Sequence, residues 1–276
     1  MELGINIRNW GPTASKSFLT ECAKVVDGSN LDTVWFNDHI GLPEQFDNIF
    51  DIPQEMGSII DALGFGCFLA AVTNRIKFGT GVLIAPYRPP LVACKLIASI
   101  QILSNNRFQL GLGTGYLKEE FKALNVPINQ RGKLTNEFLK ILNASSEKEE
   151  ITINAQRISL KPMTKRPPVF IGQKAGIAFK RAIEYGDGWM PVSMSPEDAK
   201  PQIERFQKIA EDAGRSRMQV VMMKTLPMNQ PEHAKEMAKA YQEAGVTQLV
   251  HTQGYDSVNN YEDIIAQLDT DIRKSL

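Results

Sequence analysis

The chain has 276 residues, enough for one large hydrophobic core, and that length suits either two ordinary domains or a single α/β barrel. Lys plus Arg equals Asp plus Glu at 31 each, so no overall positive field exists to draw in nucleic acid or an anionic membrane, and neither is expected as a partner. The three cysteines, Cys22, Cys67 and Cys94, show no Cys-x-x-Cys or Cys/His ligand spacing and read as ordinary buried thiols.

The stretch Met1 to Trp10 carries Glu2 and Arg8 and lacks the apolar core of a signal peptide. No apolar run approaches membrane-spanning length, so a cytoplasmic location is expected. Within that stretch Leu3–Ile7 is the first strand candidate, and Phe18, Cys22, Val25 and Val26 follow at helical spacing. The second strand, Thr33–Phe36, is β-branched and aromatic; Gly41 to Ile60, with prolines and mixed charges, reads as a loop or short helix after it. Lys77–Leu83 is the third strand, a helical pattern runs from Leu91 through Ile100, and Phe108–Leu112 is the fourth. The polar segment Ser145 to Lys165 can place Ile151, Ile153, Ile158 and Leu160 in a small surface hairpin. Val169–Ile171, Gly188–Met190, Gln219–Met223 and Gln248–His251 complete the strands. Ser195-Pro196-Glu197 and Gln230-Pro231-Glu232 put proline at a first helical position, and Gly214 and Gly245 can close the helices that follow. Strands alternating with helices predict a parallel sheet, eight is the number a closed barrel needs, and no linker or repeat divides residues 1–276, so one domain is expected.

Active sites of such barrels are built at the carboxyl ends of the strands, and three features fall there on consecutive strands. The second strand ends in Asp38 and His39: an imidazole can exchange a proton near neutral pH, and a neighbouring carboxylate can orient it. A loop histidine that merely packs or caps is the competing reading. The third strand carries Gly79-Thr80-Gly81-Val82, where two glycines cost stability unless backbone must approach something closely, a planar ring for example. The fourth carries Gly111-Leu112-Gly113-Thr114-Gly115-Tyr116, which lacks the third glycine of a dinucleotide fingerprint. After the fifth strand, Gly172-Gln173-Lys174 leads into a helix, either a phosphate site or a plain turn with a solvated lysine. Trp189 on the sixth strand can wall a ring or simply be a core residue. No metal-ligand spacing emerges, and neither a Walker-type loop nor a nucleophile elbow is present.

These residues resemble the bacterial-luciferase-like, flavin-dependent oxidoreductases, including those that use coenzyme F420. The likeness runs from Gly4-Ile5-Asn6 through Leu31–His39, Thr73–Val82, Arg88-Pro89-Pro90, Leu103–Phe108, Gly111–Tyr116 with Glu119-Glu120-Phe121, and Arg131-Gly132. It continues through Pro167–Gly172 and Gly186–Pro191. The resemblance implies a TIM barrel with insertion loops, a flavin or deazaflavin ring over the strand ends, and a non-prolyl cis peptide at or near Gly81-Val82. It implies His39, with Asp38 beside it, as the proton-handling group. Thr80, Gly81, Val82, Gly113, Thr114, Gly115, Gly172, Gln173, Lys174 and Trp189 would hold the cofactor. There are departures: many relatives have two glycines where this chain reads Gly172-Gln173, and the glucose-6-phosphate-oxidising relatives carry glutamate where Tyr116 stands. The segment before Pro167 is also shorter than usual.

The expected function is therefore hydride exchange between FMN or coenzyme F420 and a small organic substrate, with oxygen activation if the cofactor is FMN. Two alternatives stand beside it: a non-catalytic flavin-binding protein, suggested by Gln173 and Tyr116, and a cofactor-free barrel isomerase or lyase. A homodimer is implied by the resemblance alone.

Overall fold

Eight parallel strands close into a barrel in the order β1-β10-β9-β8-β7-β4-β3-β2 in the computed structural model, which describes residues 1–44, 53–191 and 193–276. The strands are β1 (Glu2–Asn6), β2 (Thr33–Phe36), β3 (Lys77–Ile84), β4 (Phe108–Gly113), β7 (Val169–Gly172), β8 (Gly188–Met190), β9 (Gln219–Lys224) and β10 (Gln248–His251). They agree with the expected ones within a residue at either end. The remaining two, β5 (Glu150–Ile153) and β6 (Gln156–Ser159), form the expected antiparallel hairpin outside the barrel, in the connection from β4 to β7.

Helices α1 (Lys16–Gly28), α2 (Ala62–Val72) and α3 (Pro90–Leu103) link the first four barrel strands. Helices α4 (Lys118–Ala123) and α5 (Arg131–Glu147) follow β4, and α6 (Ile177–Tyr185), α7 (Pro196–Asp212), α8 (Pro231–Glu243) and α9 (Val258–Gln267) follow β7 to β10 in turn. Their ends obey local chemistry. Ser195 caps α7 by accepting from the Asp198 N–H at 3.2 Å, and Gly214 and Gly245 take the positive φ angles, +71° and +97°, that let the chain turn back after α7 and α8. Gln230 makes no side-chain cap on α8, which begins with Pro231 and carries Glu232 in its first turn. Of the span 41–60 expected as loop or short helix, residues 45–52 lie outside the described residues, and Gln54–Gly57 form a short 3-10 helix.

Alternation along the strands creates two cores. The outer one lies between barrel and helices and takes Leu3, Ile5, Val34, Phe36 and Trp189. The inner one fills the barrel with Trp35, Phe170, Met190, Val221 and Val250, and each such side chain contributes about 1.5–3 kcal/mol on burial. Trp35 is fixed in place by its indole N–H donating to Thr33 Oγ1 at 3.1 Å. Its ring needs room: a Cβ on Gly79 would lie 2.7 Å from it and 2.8 Å from the Gln109 carbonyl. Gly79, expected to make way for a ligand ring, thus makes way for a tryptophan of the inner core. Cys22 and Cys94 are buried, and burial pushes both thiols up to about 12; Cys67 is half-buried.

Candidate active site

A cavity of about 620 Å³ opens over the carboxyl ends of β2, β3, β4, β7 and β8, within the range typical of small-molecule sites. Ten of the twelve residues expected at the site line it: Asp38, His39, Gly81, Val82, Gly113, Thr114, Gly115, Gly172, Gln173 and Lys174. The peptide between Gly81 and Val82 is cis, and the β3–β4 register shifts between Thr80 and Leu83. Val82 is thereby set against the neighbouring strands so closely that a Cβ on either Gly113 or Gly172 would come within 2.6 Å of its methyl groups. Val82 over Gly113 and Gly172, with Met190 and Met223, makes an apolar floor on which a flat ring can lie.

The other two expected residues are placed elsewhere, for one reason: neighbours along a strand point to opposite faces. Trp189 is 1% exposed and turns away from the cavity onto Phe179, at 4.8 Å between ring centroids, and Phe206; its indole N–H donates to the Gln173 carbonyl at 2.9 Å. The adjacent Met190 faces the cavity in its stead. Thr80 is fully buried and donates its hydroxyl to the Gly111 carbonyl at 2.7 Å, tying β3 to β4.

The pairing of His39 also corrects the expectation. Its companion is not Asp38 but Glu120 of α4, whose Oε2 lies 2.8 Å from His39 Nδ1. Glu120 Oε2 also accepts from the Tyr87 hydroxyl at 2.7 Å, and Oε1 accepts from the Ile40 N–H at 2.7 Å and the Gly41 N–H at 3.3 Å. Burial would raise the Glu120 pKa, but the hydrogen bonds from His39, Tyr87 and Ile40, with the His39 charge, outweigh it and hold the carboxyl below its ordinary value. Tyr87 is driven the opposite way, well above the ordinary phenol, by burial and then by the Glu120 charge. Tyr116 meets the His39 ring edge-on at 6.4 Å.

Asp38, turned away from its neighbour, accepts both guanidinium arms of Arg88 at 2.7 Å and the Ile84 N–H at 2.9 Å. Arg88 also reaches Asp61, the residue that caps α2. Burial opposes the Arg88 charge, yet the bonds to Asp38 and Asp61 prevail and push its pKa up. This network clamps the ends of β2 and β3 and the start of α2 into one rim. Asn37 belongs to it too: it lines the cavity, donates to the Gly81 carbonyl at 3.3 Å, and is held by Asn9 and Trp10.

The lining also carries two cations, Arg131 at the start of α5 and Lys174 after β7. Between them the Gln173 amide donates to Thr114 Oγ1 at 3.2 Å and accepts from Arg181, a buried guanidinium that also donates to Asn136 Oδ1 at 2.8 Å. Where a second glycine is common in the family it resembles, this chain therefore places a polar side chain engaged on both sides. Among the described residues no group of three or more His, Cys, Asp or Glu could hold a metal ion, and no helix is long and apolar enough to cross a membrane.

Sequence reasoning assigned no role to Glu120, Tyr87, Arg88 or Arg131. One signal for Glu120 was present: Leu117, Glu120, Phe121 and Leu124 recur at a spacing of three and four, which sets an acid in an otherwise apolar stripe. Arg88 and Arg131 stand in the family-like stretches Arg88-Pro89-Pro90 and Arg131-Gly132, but nothing local shows their roles, and nothing marks Tyr87.

Comparison with known proteins gives the family and the fold. The family model described as luciferase-like monooxygenase matches residues 2–271. An uncharacterized protein of Mycobacterium tuberculosis is 27% identical over 213 residues, covering 72% of this chain and 74% of the relative. Among solved structures, a monooxygenase from Streptomyces bottropensis superposes with a TM-score of 0.83 at 14% identity, covering 99% of both chains. An F420-dependent secondary alcohol dehydrogenase in complex with an F420–acetone adduct gives 0.76 at 15% identity over 97% of this chain and 98% of that one. The FMN-bound oxygenating constituent of a Baeyer-Villiger monooxygenase from Pseudomonas putida gives 0.76 at 12% identity, over 99% and 97%. At these identities the superpositions show a shared fold.

Proposed function

The chain belongs to the luciferase-like monooxygenase family, and from that premise we propose that it is an oxidoreductase that binds FMN or coenzyme F420 over its strand ends and exchanges hydride with a small organic substrate. One observation carries the reading. A single cavity is lined by the strand ends of β3, β4 and β7 with Val82, by His39 of a histidine–carboxylate pair, and by two cations, Arg131 and Lys174. Those parts fit a flat ring with an anionic tail.

Gly81, Val82, Gly113 and Gly172 would support the ring, and Gln173, Lys174 and Arg131 the phosphate of the tail, through charge-assisted hydrogen bonds. Such a cofactor, when bound, supplies the hydride acceptor or donor, and FMN in addition a route to oxygen. The protein's own part is to orient the substrate, exclude water, and let His39 take or return the proton that accompanies hydride transfer. The alternative of a non-catalytic carrier drew on Gln173 and Tyr116; Gln173 is engaged within the site, and Tyr116 lines the cavity beside His39.

The test is a fluorescence titration of the apoprotein with FMN and, separately, with F420. Saturable quenching by one of them is expected. Binding of F420 alone restricts the chemistry to hydride transfer, and failure of both to bind refutes the proposal.

A further inference from the structure

We propose that Glu120 sets the tautomer of His39, keeping the ring proton on Nδ1 and presenting Nε2 to the cavity as the atom that takes or returns a proton. The proposed function enters only in what Nε2 meets there. The tautomer itself follows from the hydrogen bonds.

Glu120 is 4% exposed, and four donor positions surround its two oxygens. The Ile40 and Gly41 N–H groups can only donate, so Oε1 must be an acceptor. Tyr87 is kept protonated by burial and by the carboxylate, so its hydroxyl donates to Oε2. That leaves His39 Nδ1, 2.8 Å from the same oxygen. With the proton on Nε2 instead, two lone pairs would face each other at that distance in a buried setting, leaving a hydrogen bond unmade. The chain neighbour of His39, Asp38, does not compete for Nδ1, being taken up by Arg88 and the Ile84 N–H. Among the described residues no hydrogen bond engages Nε2, and His39 lines the cavity. The same carboxylate, through Ile40 and Gly41, ties down the chain as it leaves β2, so the ring and the rim are positioned by one group.

The experiment is nitrogen-15 NMR of the full chain labelled at histidine, without cofactor, at about pH 9, above the ordinary histidine range. The chain's three histidines give three ring systems, with His39 assigned by its loss in His39→Gln. His251 supplies an internal standard for the opposite tautomer, because its Nδ1 accepts from the Leu226 N–H at 3.1 Å. The expected result is Nδ1–H for His39 and Nε2–H for His251. In Glu120→Gln the new carbonyl must stay toward the Ile40 and Gly41 N–H groups, which turns the NH2 toward His39 and moves the ring proton to Nε2. Tyr87→Phe, which leaves the carboxylate in place, retains Nδ1–H. An Nε2–H signature for His39 in the unaltered protein overturns the inference whether or not Glu120→Gln folds, and so does retention of Nδ1–H in a folded Glu120→Gln. No cofactor takes part, so failure of the cofactor titration leaves this readout intact.

Discussion

His39 and His251 stand at the carboxyl ends of β2 and β10, the two strands that flank β1, in opposite surroundings. His39 lines the cavity, with an anion on Nδ1. His251 is fully buried, accepts a backbone N–H on Nδ1 and meets Gln253 on Nε2 at 3.1 Å. Burial lowers its pKa to about 4, against the smaller opposing effect of the Gln253 hydrogen bond. The contrast teaches that position on a barrel's catalytic face does not make a histidine chemical. What decides is what the ring nitrogens meet: at His39 a carboxylate and the cavity, at His251 a neutral backbone donor in a dry environment that forbids a second proton.

The largest expected effect lies on the His39 side. Arg88→Ala leaves the Asp38 carboxylate buried with the Ile84 N–H as its remaining partner, and removing one member of a buried ion pair typically costs about 3–5 kcal/mol. Urea unfolding at neutral pH should show that loss; a change below about 1 kcal/mol would mean that the rim beneath His39 is held by packing and not by charge.

On the other side the expected effect is one of pH. Because the folded-state pKa of His251 lies below the ordinary 6.5, the unfolded chain binds the proton more readily, and stability falls as pH drops from 6.5 towards about 4. The size is about 3 kcal/mol at full extent. Glu120, also depressed, adds an acid loss of its own, but below the ordinary carboxyl value rather than around 6. His251→Gln, which keeps an acceptor for the Leu226 N–H, should flatten the upper part of the profile, as read by unfolding at pH 7 and pH 5. An unchanged slope would remove His251 from the acid response and erase the contrast with His39.

A smaller effect tests the frame behind His39. Gly79→Ala drives a methyl group into the Trp35 ring and the Gln109 carbonyl and should cost about 1–3 kcal/mol in thermal or urea unfolding, with cofactor affinity unchanged. Lost affinity at full stability would instead return Gly79 to the ring-contact role first expected of it.

Much of the fold was legible because its signals are local. Val34 and Phe36 against Trp35, or Leu110 and Leu112 beside Gly111, show strand character in a few residues, and Pro196 and Gly214 mark the two ends of one helix. The same locality misled the reading of single side chains. Asp38 adjoins His39 in the chain, yet the two take partners on different segments, Arg88 and Glu120. Trp189 and Thr80 sit at the right strand ends but on the outer face.

The sequence by itself determined the eight barrel strands, the hairpin of β5 and β6, the face on which the cavity lies, and the glycine-marked strand ends that line it. Each of these depends on residues close together in the chain. The tertiary structure alone decided which carboxylate serves His39, which cation takes Asp38, and what Gln173 does. Those pairings span 81, 50 and 59 residues, and no periodicity can announce a contact that exists only after the barrel has closed and brought separate strand ends to one rim.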